Sequence, residues 1–253
     1  MASETYQHGG IRFRVAQRSD QGLVRSNNED ALIASPEQGL LGVCDGMGGH
    51  AAGEIASGLA SAALSEQVSC CQAAPGQALR EGIELANHRI FEEQAQNPGY
   101  RGMGTTVSAL WLSPQGKADC WVVHVGDSRI YRKNASGLDQ ITSDHSPVYR
   151  LYQQGHLSKD QMRRHPHKNL LDRSLGVMPM VEPDVFETEA AAGDVFLVCS
   201  DGLTDELTDR EILEILSENP LEEAAGQLLA QAKATGGRDN ISLILIQILE
   251  IDA

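Results

Sequence analysis

Residues 39–50 read GLLGVCDGMGGH, an apolar run that ends at Asp45-Gly46 and is followed by two further glycines and His50. The apolar part has the length of a buried strand, and the glycines after it are typical of a turn into a helix. A buried strand that ends at an acidic residue places that residue at a sheet edge, where sheet scaffolds present functional groups. His50 is the obvious candidate for a catalytic group, and Asp45 is its competitor.

The junction of a buried strand with an acidic residue recurs along the chain. Asp201-Gly202 follows the apolar run VFLVCS, Asp239 precedes ISLILIQIL, and Asp127 lies in a Gly-Asp pair between two apolar runs. A single aspartate at a strand end is about as often a turn former, hydrogen-bonded to its own backbone, as a functional group. Four of them are a stronger signal, because carboxylates gathered at strand ends repel one another unless they share a cation.

The type of ligand predicts the type of cation. Oxygen ligands without cysteine and with little histidine are typical of hard divalent ions, which favours Mg²⁺ or Mn²⁺. Zinc is disfavoured because the chain has no Cys/His group with ligand spacing. Arg25, four residues before Glu29, is a candidate phosphate ligand, since a guanidinium donates two parallel hydrogen bonds to a phosphate. Its alternative interpretation is an ordinary surface arginine.

Composition restricts the class of protein. The chain has 253 residues, a formal net charge of −15 and a pI near 4.9, so we expect no nucleic-acid partner. No apolar run approaches the roughly 18 residues that span a bilayer, and no secretory signal is readable, which predicts a cytoplasmic protein without membrane contact. The five cysteines are odd in number and form no C-x-x-C pair, as is typical of buried, reduced thiols.

Periodicity predicts antiparallel sheets covered by helices, in a single domain over 1–253. The Gly126-Asp127 pair predicts the turn of a hairpin. The polar stretch 142–175 is expected to be a mobile insertion near the sheet ends. Strands are predicted near 11–16, 29–34, 39–44, 104–112, 119–125, 128–133, 194–199 and 240–249. Helices are predicted from Gly49 to about Val68, over 76–96, after a capping box at Thr208 and Glu211, and over 221–234.

Six motifs occur in order along the chain: RSNNED, VCDGMGGH, GMGTTVSAL, HVGDSRIYR, FLVCSDGLTDEL and GGRDNIS. Together they resemble the metal-dependent protein phosphatase family, the type 2C Ser/Thr phosphatases, and specifically its compact bacterial branch. The likeness extends from about residue 12 to 249. It implies an α+β fold, a four-layer αββα sandwich of two antiparallel β-sheets flanked by helix pairs, with metals in a cleft at one end.

The resemblance implies two core Mn²⁺ or Mg²⁺ ions and the place for a third. Asp45 is expected to bridge the core ions, and the Gly46 carbonyl is expected to bind one of them. Asp201 and Asp239 are expected to bind the other. Asp127, with Asp201, matches the third-ion site of bacterial members.

The resemblance also implies roles around these ions. Glu29 and Asp30 are expected to act through metal-bound waters, and Arg25 to hold the substrate phosphate. The stretch 142–175 matches the family's flap, which borders the cleft.

The reaction implied is direct attack of metal-activated water on phosphoserine or phosphothreonine, without a phosphoenzyme. Cys44 and Cys199 adjoin expected metal ligands, which raises the alternative of a cysteine nucleophile. That class of phosphatase needs a thiolate in a phosphate-binding loop with a nearby arginine, and no such loop follows either cysteine.

The proton donor to the leaving group is open. Met47 stands where many eukaryotic members have histidine, and a thioether cannot donate a proton. Water, or a flap histidine such as His145 or His156, is left for that role. His50 is expected to begin the following helix.

The expected partners are phosphorylated protein substrates and a bacterial-type Ser/Thr kinase that the enzyme opposes, and the protein is expected to be monomeric. Two alternatives stay open: a catalytically silent regulator that binds phosphoproteins, and a partner-switching phosphatase. The first is disfavoured because the four acids are all present, and the second because such proteins often carry a sensor domain.

Overall fold

Twelve strands and seven α-helices make up the described part of the chain. The computed structural model describes residues 4–48, 52–70, 73–112 and 119–252. The strands are β1 (Glu4–His8), β2 (Ile11–Asp20), β3 (Asp30–Ser35), β4 (Leu40–Met47), β5 (Gly104–Thr105), β6 (Val107–Leu112), β7 (Asp119–Val125), β8 (Arg129–Asn134), β9 (Gly137–Gln140), β10 (Asp184–Glu189), β11 (Val195–Cys199) and β12 (Ile241–Ile251). The helices are α1 (Ala52–Cys70), α2 (Pro75–Gln96), α3 (Pro147–Gln153), α4 (Lys159–Arg163), α5 (Asp201–Thr204), α6 (Asp209–Glu218) and α7 (Leu221–Thr235).

The strands form two antiparallel sheets. The first has the order β1-β2-β12-β11-β8-β9, and the second has the order β10-β7-β6-β4-β3, with β5 paired to the end of β4. Alternation along each strand sends apolar side chains to two different cores. In β4, Leu41 and Val43 lie between the sheets, whereas Leu40 and Cys44 pack with α1 and α2. Strands β11 and β12 divide in the same way between the inner core and the core under α6 and α7.

These layers confirm the predicted αββα sandwich. Helices α1 and α2 cover one sheet, and α6 and α7 cover the other. Helix α2 buries Leu79, Ile83, Ala86 and Ile90, the face that periodicity predicts. Helix α6 begins after Thr208, which forms the predicted capping box with Glu211. None of the helices in the described ranges combines the length and the hydropathy that a bilayer-spanning segment requires.

The link between β7 and β8 corrects the predicted hairpin. Strand β7 pairs with β6 and β10, whereas β8 pairs with β11 and β9, so Gly126-Asp127 joins the two sheets. Gly126 has a φ of 111°, and an added Cβ there would lie 2.5 Å from Thr106 Cγ2. Two apolar runs joined by Gly-Asp look the same in both arrangements, so only the packing of one sheet on the other distinguishes them.

Some short elements have no counterpart among the predicted ones. Strands β1, β9 and β10 and helices α3, α4 and α5 are short or half-exposed, so their apolar periodicity is weak. The predicted helix start at Gly49 and His50 lies outside the described residues, and α1 begins at Ala52.

The flap, residues 142–175, contains α3 and α4 and a small apolar cluster of its own. Val148, Tyr149 and Met162 are buried in that cluster. Ser146 and Ser158 are the N-cap residues of the two helices, and their side chains accept hydrogen bonds from backbone N–H groups of the first turn. The flap therefore contains regular secondary structure, which its weak apolar periodicity does not predict.

Candidate active site

The predicted acidic residues meet where the two sheets end together. Asp45 lies near the end of β4, directly opposite Asp30 in β3. Asp201 is the first residue of α5, Asp239 precedes β12, and Asp127 lies in the link between the sheets. The charges of the other four residues all raise the pKa of Asp45 after burial, its main cause, so the five carboxylates lie within electrostatic reach of one another. We call these five residues the acid cluster.

Backbone hydrogen bonds fix Asp45 in place. Its N–H donates to Thr106 Oγ1 at 3.0 Å, and its carbonyl accepts from the Thr106 N–H and the Thr105 hydroxyl, both at 2.9 Å. None of these bonds uses the Asp45 carboxylate. The Thr105-Thr106 pair, which motif matching left without a role, therefore positions the end of β4 and leaves its acid to other partners.

Gly46 is required by close packing. An added Cβ would lie 2.2 Å from the Gly53 carbonyl oxygen and 2.4 Å from the Glu29 carbonyl oxygen. The Gly46 N–H donates to that same Glu29 carbonyl at 3.2 Å. Gly53 of α1 is constrained in turn, since its Cβ would lie 2.4 Å from Glu29 Oε2. This glycine pair lets α1 approach β4 and brings the buried Glu29 beside the cluster.

Arg25 reaches the acid cluster through an ion pair. Its Nη2 donates to Asp239 Oδ2 at 2.6 Å, and 51% of the Arg25 side chain is exposed. The hydrogen bond that Arg25 donates to Asp239, with further contributions from the charges of Glu29 and Asp201, raises the pKa of the guanidinium. The remaining N–H groups of this exposed cation are available to an anion at the mouth of the cleft.

Asn240 is a positioning residue that motif matching missed. It is buried, and its Oδ1 accepts from the Glu29 N–H at 2.8 Å. Its Nδ2 donates to the carbonyls of Gln21, at 3.0 Å, and Asn27, at 2.9 Å. The three bonds tie the loop that carries Arg25 to the start of β12. The available signal was an amide residue between Asp239 and a long apolar run.

Burial and mutual repulsion dominate the electrostatics of the cluster. Burial, reinforced by nearby carboxylates, raises the pKa of Asp127 to about 7 and that of Asp30 to about 6. The pKa of Asp201 is raised well above its usual range by burial first and then by Asp127 and other acids. Asp30 Oδ1 and Asp201 Oδ1 are buried and have no hydrogen-bond partner among the described residues. Such a group of acids is stabilised by a cation.

The donor set fits a hard divalent cation. Among the described residues, no three His, Cys, Asp or Glu side chains converge as a ready-made cage; Asp239, for example, is paired with Arg25. A magnesium-like ion is usually bound through one or two carboxylates and keeps several waters, so separate carboxylates around a shared cleft suit it. The orphaned oxygens of Asp30 and Asp201 are the observation that a cation there explains.

A small polar cavity of about 30 Å³ separates the acid cluster from the flap. Asp127 and Asp201 line one side, and the flap residues Arg163 and Lys168 line the other. Lys168 Nζ pairs with the Asp205 carboxylate, and Arg163 Nη2 donates to the carbonyl of the same residue at 3.2 Å. The flap therefore borders the cleft through two cations, in space sufficient for about one water.

The flap histidines are placed differently from each other. His145 is buried: the Gly126 N–H donates to its Nδ1 at 3.2 Å, and its Nε2 lies 3.2 Å from Asp184 Oδ2. Burial lowers the pKa of His145. Its ring nitrogens thus support the link that carries Asp127, whereas His156 is exposed on the flap.

The two strand cysteines are unsuited to nucleophilic attack. Cys44 and Cys199 are fully buried. Burial raises the pKa of Cys44 well above its usual value and that of Cys199 to about 12. Both are neutral thiols near pH 7, which excludes them as the thiolate of a cysteine-dependent phosphatase.

Comparison with known proteins agrees with this geometry. The family model described as Protein phosphatase 2C matches residues 23–244. The chain belongs to the protein phosphatase 2C family. The matched range contains every predicted site residue, from Arg25 to Asp239.

The relatives within the protein phosphatase 2C family are bacterial Ser/Thr phosphatases. The chain is 39% identical over 244 residues to serine/threonine protein phosphatase PstP of Mycobacterium tuberculosis, covering 95% of this chain but 46% of PstP, and thus spans about half the length of that relative. It is 37% identical over 239 residues to serine/threonine phosphatase stp of Listeria welshimeri, covering 91% of this chain and 94% of stp. The catalytic domain of PstP, solved in complex with two manganese ions, matches with a TM-score of 0.85 and 37% identity over 94% of this chain and 99% of that one. These likenesses confirm the predicted family and fold class.

Proposed function

We propose that this chain is a metal-dependent phosphatase that hydrolyses phosphoserine and phosphothreonine in proteins. The observation that carries this proposal is the acid cluster itself: five carboxylates from both sheets repel one another, two of their oxygens are orphaned, and an exposed arginine lies at the rim. The negative net charge and the acid cluster both repel a phosphate, and Arg25 already pairs with Asp239, so bound cations are needed to attract it. The 2C relatives and the manganese-bound PstP domain support the same reaction.

The residues present divide into ion-binding and substrate-binding groups. Two core ions, Mn²⁺ or Mg²⁺, would be held by Asp45, the Gly46 carbonyl, Asp201 and Asp239, with Glu29 and Asp30 acting through water and Asp127 available to a third. Such ions supply charge stabilisation for the phosphoryl oxygens and a water nucleophile at neutral pH.

Arg25 would bind the substrate phosphate with the N–H groups that its bond to Asp239 does not use. Because this contact holds the substrate, we expect Arg25→Ala to lower kcat/KM about 10- to 100-fold. Solvent water is the proposed proton donor to the leaving group, since Met47 is a thioether and His145 is committed to Gly126 and Asp184.

The wider setting is part of the same proposal. The substrates would be phosphoproteins made by a bacterial-type Ser/Thr kinase, and the enzyme would act in the cytoplasm as a monomer. The negative net charge argues against nucleic acid as a partner. The single domain predicted from the sequence is part of the proposal. The β7–β8 link supports it because this link joins the two sheets.

The test is phosphate release from a phosphothreonine peptide. Metal-free protein prepared with a chelator should be inactive, and Mn²⁺ or Mg²⁺ should restore the rate. Unchanged turnover in excess chelator would contradict the proposal. Calorimetric titration of the metal-free protein with Mn²⁺ distinguishes the enzyme from a catalytically silent regulator. A regulator that only binds phosphoproteins has no need of tight divalent-ion binding.

A further inference from the structure

Exposed large apolar side chains are concentrated in three segments: the residues just before Arg25, the flap, and the residues that follow the flap. Among the described residues, seven large apolar side chains are exposed. Leu23 and Val24 come just before Arg25, Leu151 and Leu170 lie in the flap, and Val177, Met178 and Met180 follow the flap. Met180 is 87% exposed. Single exposed apolar residues need no explanation, but a set confined to the surroundings of one site indicates a contact surface.

Three of these side chains belong to residues 176–183, which run along helix α2. Between this segment and α2 lies a cavity of about 840 Å³, which we call the α2 groove. Phe91 and His88 line it from the helix, and Met180 and Val181 line it from the segment. A groove of this size accommodates side chains of a bound peptide.

The α2 groove is held in place by the helix. The buried Asn87 accepts from the Gly176 N–H at 2.8 Å and donates to the carbonyls of Met178 and Pro179, each at 3.1 Å. Arg80 donates to a carbonyl near the far end of the segment at 3.3 Å. Because its backbone bonds to α2, the segment is held in place and its methionine side chains are left exposed. A backbone that is already ordered loses little further entropy when a partner binds.

The groove is continuous with the acid cluster. Met47, two residues after Asp45 in β4, pairs with Gly104 of β5. An added Cβ on Gly104 would lie 2.8 Å from Met47 Cε and 3.2 Å from Val177 Cγ2, so both side chains lie over this glycine. Thr105 of β5 bridges to the residue at the end of the flap. An apolar path thus leads from the end of β4 to the exposed methionines.

We infer that the α2 groove binds the protein substrate at a distance from its phosphorylated residue, a role that rests on the proposed function. An apolar side chain of the substrate packs between Met180 and Phe91. The distance from the end of β4 to Met180 is roughly 20 Å, the sum of two strand spacings and the length of chain from Val177 to Met180. About five to seven residues of an extended peptide span that distance. The apolar residue therefore lies about that far along the substrate from the phosphothreonine.

Charge does not select the occupant of the groove. Arg80 and His88 lie along it together with Glu84 and Glu182, so its lining carries both signs. Burial of apolar area on Met180 and Phe91 is the remaining source of affinity. This chemistry favours an apolar side chain of a substrate over a strongly charged partner.

The test compares three phosphothreonine peptides with the same polar sequence. One carries leucines five to seven residues before the phosphothreonine, one carries them after it, and one has none. Wild-type enzyme with Mn²⁺ should hydrolyse one leucine peptide with a kcat/KM about 5- to 20-fold above the polar peptide, mainly through KM. Met180→Glu should remove that advantage and leave p-nitrophenyl phosphate turnover unchanged. Ala191→Glu, an exposed substitution at the opposite end of β11 from Asp201, adds the same charge and should behave as wild type.

The results that overturn the inference are distinct. Equal rates for all three peptides, or an advantage that survives Met180→Glu, shows that the groove does not bind substrate. A change of oligomeric state in Met180→Glu, seen by size-exclusion chromatography, assigns the groove to contact between copies of this chain. If the enzyme hydrolyses p-nitrophenyl phosphate but none of the three peptides, the proposal of a protein substrate is contradicted, and so is the inference that rests on it.

Discussion

The acid cluster and the network around Arg129 lie two residues apart in the chain, at Asp127 and Arg129, and they balance charge in opposite ways. Arg129 donates from Nε and Nη2 to Asp144, at 2.9 and 2.6 Å, and from Nη1 to Tyr131 at 3.1 Å. Its positive charge is matched inside the protein. Asp127 belongs instead to a set of buried acids that repel one another. Asp144 neutralises Arg129, whereas in the acid cluster Arg25 pairs with Asp239 alone and an excess of negative charge is left.

The largest effect should come from the acid cluster. We expect Asp45→Asn to lower the turnover of a phosphothreonine peptide at least about 10³-fold, because the residue proposed to bridge the two core ions is lost. The metal-free variant should be no less stable than metal-free wild type, since like-charge repulsion is removed. Peptide turnover and urea unfolding measure the two quantities.

The control for Asp45→Asn is Asp194→Asn. Asp194 is also buried but lies at the opposite end of β11, where its Oδ2 accepts from the Ala191 N–H at 3.0 Å. It should retain activity. Full activity of Asp45→Asn, or equal loss in both variants, would remove the distinction between the cluster and other buried acids.

The network around Arg129 should show the reverse pattern. Arg129→Met leaves Asp144 buried without its cation, which should lower the free energy of unfolding by about 3–5 kcal/mol. The double variant Arg129→Met/Asp144→Leu should recover most of the loss, because no charge is then left unpaired. Chemical denaturation of the three proteins in excess Mn²⁺ measures this; an equally unstable double variant would show that packing, not charge balance, is lost.

The pH dependence of the free energy of unfolding, measured on the metal-free protein, should further distinguish the acid cluster from the network around Arg129. The pKa values of Asp30 and Asp127 are raised, to about 6 and about 7, so the folded protein holds these protons more tightly than the unfolded chain. This stabilisation is fully present below about pH 4 and is lost as the pH rises through 6 to 7; between pH 5.5 and pH 8 the loss is on the order of 1–3 kcal/mol.

The measurement is urea unfolding in excess chelator at pH 5.5 and pH 8, for wild type and Asp127→Asn. The variant should lose less stability than wild type over that interval, because one of the acids with a raised pKa is gone. Equal losses would show that Asp127 does not titrate in this range. Saturating Mn²⁺ should reduce the loss in wild type.

The smallest effect should come from Lys168. This lysine pairs with Asp205 as Arg129 pairs with Asp144, but 30% of its side chain is exposed. Partly exposed pairs contribute about 0–1 kcal/mol, so Lys168→Gln should change the free energy of unfolding by no more than that. A loss comparable to that of Arg129→Met would show that exposure does not distinguish the two pairs.

Local sequence patterns were sufficient to predict a helix or its cap where the interacting residues lie within the same element. Thr208 and Glu211 form the predicted capping box, with Thr208 N–H to Glu211 Oε2 at 2.7 Å, because the bond joins residues three apart. Helix α2 buries the predicted face for the same reason. The six motifs were likewise sufficient for family and fold class, which the comparisons confirm.

Local patterns were insufficient where the partner lies far along the chain. The Gly126-Asp127 link joins two sheets, and nothing within the motif distinguishes it from a hairpin. Asn240 acts on carbonyls more than 200 residues away, as the pairing with Gln21 shows. The α2 groove depends on Asn87 holding a segment about 90 residues further on. The metal roles of the individual site residues stay predictions.

The sequence alone determined which acids and glycines lie at strand ends, because apolar periodicity and turn chemistry act between near neighbours. Tertiary structure alone decided that Asp30 faces Asp45, that Asp127 crosses between the sheets, and that Arg25 pairs with Asp239. These contacts depend on strand pairing and sheet packing, in which residues far apart in the chain become neighbours. The imbalance of charge in the cleft exists only after that packing, since burial is what raises the pKa of each acid.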